Sequence, residues 1–272
     1  GPPPGVGGVV LGMGSLGSGR MSAGSDLDLI VIYDAAGVEM TEGRRPLDPR
    51  GWYAKATKSL ITALSAPTAA GKLYEVDMRL RPSGRQGPVA TSVTGFASYQ
   101  REEAWTWEHM ALTRARAIAG PASLSAEIED IRRAVIAEKA APDHVRVEAA
   151  TMRARLSAAG RAGSTYAVKD GPGGLQEIEL LGQAAALAAG VAHRVSAAQL
   201  AEAHALGWLD AEGVAVVQAA HALFNRVQGA ARLLTDEALD PDAIGTGGQA
   251  FLARIAGAAD AAELAMRLDK AR

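Results

Sequence analysis

The tightest constraint on this chain is Asp26-Leu27-Asp28, two carboxylates one residue apart at the mouth of the apolar run LIVIY. Aspartate disfavours strands, so two of them there need a reason. On a strand, residues i and i+2 point to the same side. Asp26 and Asp28 then present their carboxylates together, while Leu27 and Leu29 enter the core. Two adjacent like charges repel unless something neutralises them. Mg²⁺, hard and oxygen-seeking, does so best where phosphate completes its shell. A plainer alternative is a turn cap, because Asp bonds its own backbone in such positions.

Upstream, VVLGM runs into the glycine-rich turn Gly12 to Gly19. By itself that is a tight strand-to-helix connection, and lone glycine patterns carry little information. A Gly-Ser turn followed about ten residues later by Asp-x-Asp on a strand, however, resembles the nucleotidyltransferase superfamily of DNA polymerase β. That resemblance implies a third carboxylate on a later strand, and YEVDMRLRP supplies Asp77.

Size and composition exclude several other classes. The chain has 272 residues, room for one large domain or two modest ones. It is 48% hydrophobic and 21% charged, as ordinary globular proteins are. A net charge of -2 points to neither nucleic acid nor an anionic membrane. Without cysteine there are no disulfides or thiolate metal sites, which is compatible with a cytoplasmic location. GPPPGVGG lacks the basic start and apolar run of a signal peptide. It reads as a linker, and the chain as a piece of a longer protein. No apolar stretch is long enough for a membrane span.

Along the chain, Val9–Met13 reads as a first strand, Ser15–Arg20 as a short helix whose N–H groups suit an anion, and Leu27–Tyr33 as a second strand. Gly51–Ser65 reads as a helix with Trp52, Ala56, Ser59, Leu60 and Ala63 on its inner face. Leu73–Leu80 alternates as a third strand, with Glu75, Asp77 and Arg79 on one face. That face is either merely solvated or brings Asp77 to the pair, with Arg79 and Arg81 near the phosphates. Gly95 to Ile118 is expected as one helix, with Trp105 and Trp107 as packing anchors. His109 has no partner at metal-ligand spacing. Arg114 and Arg116 belong either to a solvated face or to substrate binding. From Ser123 onward the pattern is helical, over 123–140 and 142–159, and then after a glycine loop from Gly160 to Gly174.

The wording from Leu73 to Gly120 decides among these alternatives. YEVDMRLRPSG, TS, FASYQ and EAWTWEHMALTRARA, together with GSDLDLI upstream, resemble the C-terminal catalytic half of the bacterial bifunctional glutamine-synthetase adenylyltransferase/adenylyl-removing family. That family carries two nucleotidyltransferase halves. One attaches AMP to a tyrosine of glutamine synthetase, and the other removes it by phosphorolysis. EAWTWEH resembles the attaching half, and only one SDLDL occurs. Two departures stand out. Gly14-Ser15-Leu16-Gly17 replaces the usual Gly-Lys-Leu-Gly, and Arg20 stands where glutamate is usual. Further on, KDGPGGLQEIELLGQ resembles the start of the family's C-terminal helical domain, with Glu177 in place of an aspartate. Glu177 and Glu179 lie about 200° apart on a helix and cannot share an ion. The motif reads as an interdomain contact or a support for the site. The stripe Val214, Val217, His221, Phe224, Val227 and Ala231 makes His221 a core histidine.

The resulting expectation is an α+β protein: a polymerase β-like nucleotidyltransferase domain over 1–120, with a short mixed sheet and helices, then an all-helical domain over 121–272. The resemblance implies ATP as substrate and two Mg²⁺ ions on Asp26, Asp28 and Asp77. It places Gly14, Ser15, Ser25, Arg79 and Arg81 around the nucleotide. It implies glutamine synthetase as protein substrate, with glutamine and a PII-type signal protein as effectors. Alternatives are the removing half, a uridylyltransferase or antibiotic-modifying enzyme on the same core, and a noncatalytic regulatory domain.

Overall fold

The computed structural model describes residues 3, 5–69, 71, 74–159, 164–235, 237 and 239–272. Leu73, expected to open the third strand, and 160–163 of the glycine loop lie outside the described residues. The chain divides into two compact units, Gly1–Ala140 with Gly190–Arg194, and Ala141–Ala189 with Val195–Arg272.

In the first unit β1 (Gly7–Gly12) and β2 (Leu27–Asp34) pair antiparallel, from Gly7 opposite Asp34 to Gly12 opposite Leu29. Between them α1 (Gly14–Ser18) is a bare turn of helix, ending before Arg20 because Gly19 turns left-handed at φ 73°. α2 (Pro49–Ser65) begins earlier than Gly51. Asp48 caps it by accepting from the Gly51 amide at 3.1 Å, and Pro49 already has a helical φ. Its buried residues are Tyr53 and Thr57, with Tyr53 stacked on Tyr33 at 4.2 Å, whereas Ser59 and Ala63 are exposed.

The third strand, β3, is only Val76–Asp77. Past Asp77 the chain coils back: the Arg81 amide bonds the Met78 carbonyl, and Gly84 bonds Arg81. β4 (Ala90–Ser92), α3 (Val93–Glu102), α4 (Thr106–Leu112) and β5 (Arg116–Ala119) follow. Two helices and a strand thus replace the single helix expected from Gly95 to Ile118. The break occurs because the Glu108 carboxylate accepts from the Trp105 amide at 2.9 Å, starting a new helix there.

The sheet order is β3-β2-β1-β5, with β4 also paired to β2. β2 runs parallel to β3 and β4 and antiparallel to β1, so the sheet is mixed and β2 is its axis. Both faces of β2 are covered. Ile30 and Ile32 join Val9, Leu11, Phe96 and Leu112 on one side. Val31 and Tyr33 join Tyr53, Met78 and Ala90 on the other. α5 (Ala122–Glu138) adds Leu124, Ile128 and Val135 to the first of these clusters. The first unit therefore extends to Ala140 rather than to 120, because α5 completes the core of the sheet.

The second unit is helical: α6 (Pro142–Ala159), α7 (Leu175–Ala188), α8 (Ser196–Ala205), α9 (Ala211–Ala231), α10 (Gly245–Ala256) and α11 (Ala261–Ala271). Its core gathers Leu175, Ile178, Leu200, Phe224, Val227, Leu252 and Leu268. α7 buries most of its residues, Leu180 and Ala184 included, while Gln176, Glu179 and Gln183 stay partly exposed. No helix among the described residues is long and apolar enough to cross a membrane.

Candidate active site

In the first unit Asp28 lies on β2, and Asp26 stands just before the strand, exposed. The Met13 amide donates to the Asp28 carbonyl at 2.9 Å, which holds the start of α1 beside Asp28. Gly14 has φ 49°, and a Cβ there would lie 2.7 Å from Asp28 Oδ2. The positive φ favours glycine here, and any side chain would also push the Asp28 carboxylate aside. Ser15 begins the turn, and its carbonyl accepts from the Ser18 hydroxyl and the Arg20 amide. Ser25 closes the approach to the pair, its hydroxyl accepting from the Ser22 amide at 3.0 Å.

Asp77 lies opposite Asp28 in the parallel β2–β3 register. On neighbouring parallel strands, paired residues project to the same face. Burial alone would raise the Asp77 pKa, but hydrogen bonds and charge from Arg79 outweigh it and lower it. The Arg79 amide donates to Asp77 Oδ1 at 2.8 Å, and its Nε and Nη2 reach Oδ2 at 2.6 and 2.5 Å. Asp77 is the main influence raising the Arg79 pKa, with smaller contributions from the charges of Asp28 and Asp26. Arg81 is turned elsewhere, donating to the carbonyls of Met78 at 2.8 Å and Arg85 at 3.2 Å, so it braces the loop after Asp77.

Among the described residues, no three acidic, imidazole or thiol side chains are gathered closely enough to hold a metal as they stand. The chemistry of the donor set nonetheless fits a hard divalent cation. Asp28 and Asp77 lie side by side in register, Asp26 stands two residues from Asp28, and all three offer only oxygen.

Other expected positions separate sharply. Trp105 and Trp107 are 70% and 41% exposed rather than buried as packing anchors; Glu108, Met110 and Leu112 take the inward positions of α4. His109 is buried, with Nε2 2.8 Å from the Gln100 carbonyl oxygen, and burial depresses its pKa. Arg114 is buried, so it belongs to no solvated face. Arg116 binds the carbonyls of Gly17 and Leu16 at 3.0 and 3.1 Å. Glu177 makes its contacts inside the second unit, accepting from Arg153 at 2.9 Å, Ser157 at 2.6 Å and the Gly173 amide at 3.2 Å. His221 is a core residue, its Nε2 3.0 Å from the Asn225 amide nitrogen. Sequence inspection passed over Gly17, Arg132 and Arg194. Gly17 belonged to a glycine-rich string that gives no hint of which glycine is crowded. The two arginines bind carbonyls far away in sequence and leave no local pattern.

The β1–turn–α1–β2 unit with its acidic pair, and an acidic residue alongside on β3, has the layout of a nucleotidyltransferase catalytic core. Comparison with known proteins agrees. Residues 4–131 match the family model for glutamate-ammonia ligase adenylyltransferase, GlnE, and residues 145–271 that for GlnD PII-uridylyltransferase. The chain is 44% identical over 253 residues to a bifunctional glutamine synthetase adenylyltransferase/adenylyl-removing enzyme of Xanthobacter autotrophicus, covering 90% of this chain and 26% of that protein. Enzymes of the same description from Mesorhizobium japonicum and Rhizobium meliloti are also 44% identical, over 89% and 86% of this chain. The chain spans about a quarter of the length of these relatives.

Proposed function

We propose that this chain is the attaching half of a glutamine synthetase adenylyltransferase, transferring AMP from ATP to a tyrosine hydroxyl of glutamine synthetase and releasing pyrophosphate. The observation that carries the proposal is Asp77 in register with Asp28, whose carboxylate lies against the glycine turn at Gly14. The EAWTWEH wording supports the attaching rather than the removing direction. The uridylyltransferase match covers only 145–271, the helical region, and so does not bear on the catalytic core.

In this scheme the Gly14–Ser15 turn receives the triphosphate, and Asp26, Asp28 and Asp77 hold two Mg²⁺ ions. Bound there, divalent metal supplies Lewis-acid stabilisation at the phosphates and lowers the pKa of the attacking hydroxyl. The protein's own contribution is positioning and fixed charge. Asp77 would help hold the metal, and the Arg79 guanidinium, two-thirds exposed beside it, would supply positive charge for the phosphates. Glutamine and a PII-type protein are the proposed effectors, and the cytoplasm the proposed compartment.

The test mixes the chain with glutamine synthetase, Mg²⁺ and labelled nucleotides and follows mass gain on tyrosine. Asp26→Asn and Asp28→Asn should each abolish transfer while leaving the fold intact. Asp77→Ala should lower the single-turnover rate by several orders of magnitude and ATP affinity far less. Transfer retained by both Asn variants would overturn the site. Phosphate-dependent ADP release from adenylylated glutamine synthetase would assign the removing half instead.

A further inference from the structure

The turn that receives the triphosphate in the proposed function rests on a wall of chain. Gly17 packs so closely against Arg114 that a Cβ would stand 2.2 Å from the Arg114 carbonyl oxygen. Arg116, two residues on, clasps the carbonyls of Gly17 and Leu16. The stretch 112–116 therefore fixes where α1 sits.

Two guanidinium groups fix that stretch in turn. Arg132, 1% exposed, donates to the Thr113 carbonyl at 2.9 Å and the Leu112 carbonyl at 3.4 Å. Arg194 Nε donates to the Ala115 carbonyl at 2.7 Å. Both converge on Glu129, Arg132 at 2.9 and 3.0 Å and Arg194 through an ion pair by Nη2. Arg132 also holds the Ala192 carbonyl at 2.9 Å. Arg194 thus arrives from a five-residue segment, Gly190–Arg194, that is built into the first unit although its sequence neighbours belong to the second.

We infer that Arg194 is a positioning residue for nucleotide binding: through the Ala115 carbonyl and Glu129 it holds the 112–116 wall that sets the Gly14–Ser15 turn. A lysine could not replace it, because one ammonium lacks the planar fork that meets a carbonyl and a carboxylate together. The inference rests on the triphosphate binding at that turn, as proposed above. Arg194 never touches the reacting atoms, so its loss should weaken ATP binding more than it slows the bound complex.

The experiment uses the whole chain and measures ATP affinity by calorimetry with Mg²⁺, KM and kcat for transfer, and the melting temperature. Arg194→Ala should raise the ATP Kd and KM about tenfold or more, the scale of a lost charge-assisted hydrogen bond, with a much smaller change in kcat. Added ethylguanidinium should restore affinity to Arg194→Ala, and Arg194→Lys should fall between it and the wild type. Arg133→Ala is the control. Arg133 pairs with the same Glu129 at 2.8 Å, yet no bond from it to the 112–116 carbonyls is found among the described residues, and its affinity should stay normal. Wild-type affinity in Arg194→Ala or Arg194→Lys overturns the inference. So does an equal loss in Arg133→Ala, or a loss in Arg194→Ala that guanidinium leaves unrescued alongside a lowered melting temperature. A wild-type chain that binds no ATP overturns the proposed function itself, and so the two failures are distinguishable.

Discussion

Glu108 and Trp105 differ by three positions in sequence and by everything in environment. Glu108 is buried, and its carboxylate accepts from the Tyr99 hydroxyl at 2.8 Å and the Trp105 amide at 2.9 Å. Removing it leaves two donors short of a partner, which costs about 1–3 kcal/mol for each group left buried. Glu108→Ala should therefore lower the melting temperature markedly. Trp105→Ala should leave it within a degree or two of the wild type, because an indole 70% exposed stabilises little by burial. Thermal melts of the two variants side by side check the pair. Hydrophobicity alone ranks these residues the wrong way round: α4 turns its indoles outward and its carboxylate inward. The strand that carries Asp28 was legible because its information is local. A spacing of two on a strand fixes a shared face whatever the rest of the chain does.

At the scale of elements, α6 and α7 are joined through Glu177, a contact with a pH signature. Burial would raise this carboxyl, but the Ser157 hydroxyl, the Arg153 guanidinium and the Gly173 amide outweigh it and hold the pKa below the usual value. A depressed folded pKa adds stability that is present above the unfolded pKa of about 4.3. That stability is lost as pH falls through the lower folded value. Glu177→Gln should thus flatten the acid limb of a stability-versus-pH curve and lower stability at neutral pH, as urea unfolding from pH 3 to 7 would measure. The limits of the elements themselves were less legible than their existence. α2 starts where Asp48 and Pro49 say a helix starts. β3 stops after Asp77 as Arg81 coils the next loop around Met78, Arg85 and Gly87, a side-chain-to-carbonyl bracing that strand alternation does not encode.

For the whole molecule, the decisive fact is that α5 belongs with the sheet. A fragment ending at residue 120 would strip Leu124, Ile128 and Val135 from the main core. Each buried aliphatic side chain contributes about 1.5–3 kcal/mol, and a typical domain has only about 5–15 kcal/mol in total. Such a fragment should lack a cooperative thermal transition, and a calorimetric scan beside the intact chain would reveal it. The sequence by itself determined the α+β class, the mixed sheet with Asp26 and Asp28 at the start of its second strand, Asp77 on the next strand, and the helical character of the second half. Periodicity and turn residues carry the strands and helices, and these are local; the mixed sheet and the place of Asp77 beside the pair are what the resemblance to the nucleotidyltransferase superfamily implies. Only the tertiary structure decided that Asp77 is paired with Arg79, that Trp105 and Trp107 face outward, that the first unit ends near residue 140, and that Gly190–Arg194 returns to it. These depend on which distant carbonyls and apolar faces remain to be covered once the sheet has formed, and sequence spacing does not record that competition.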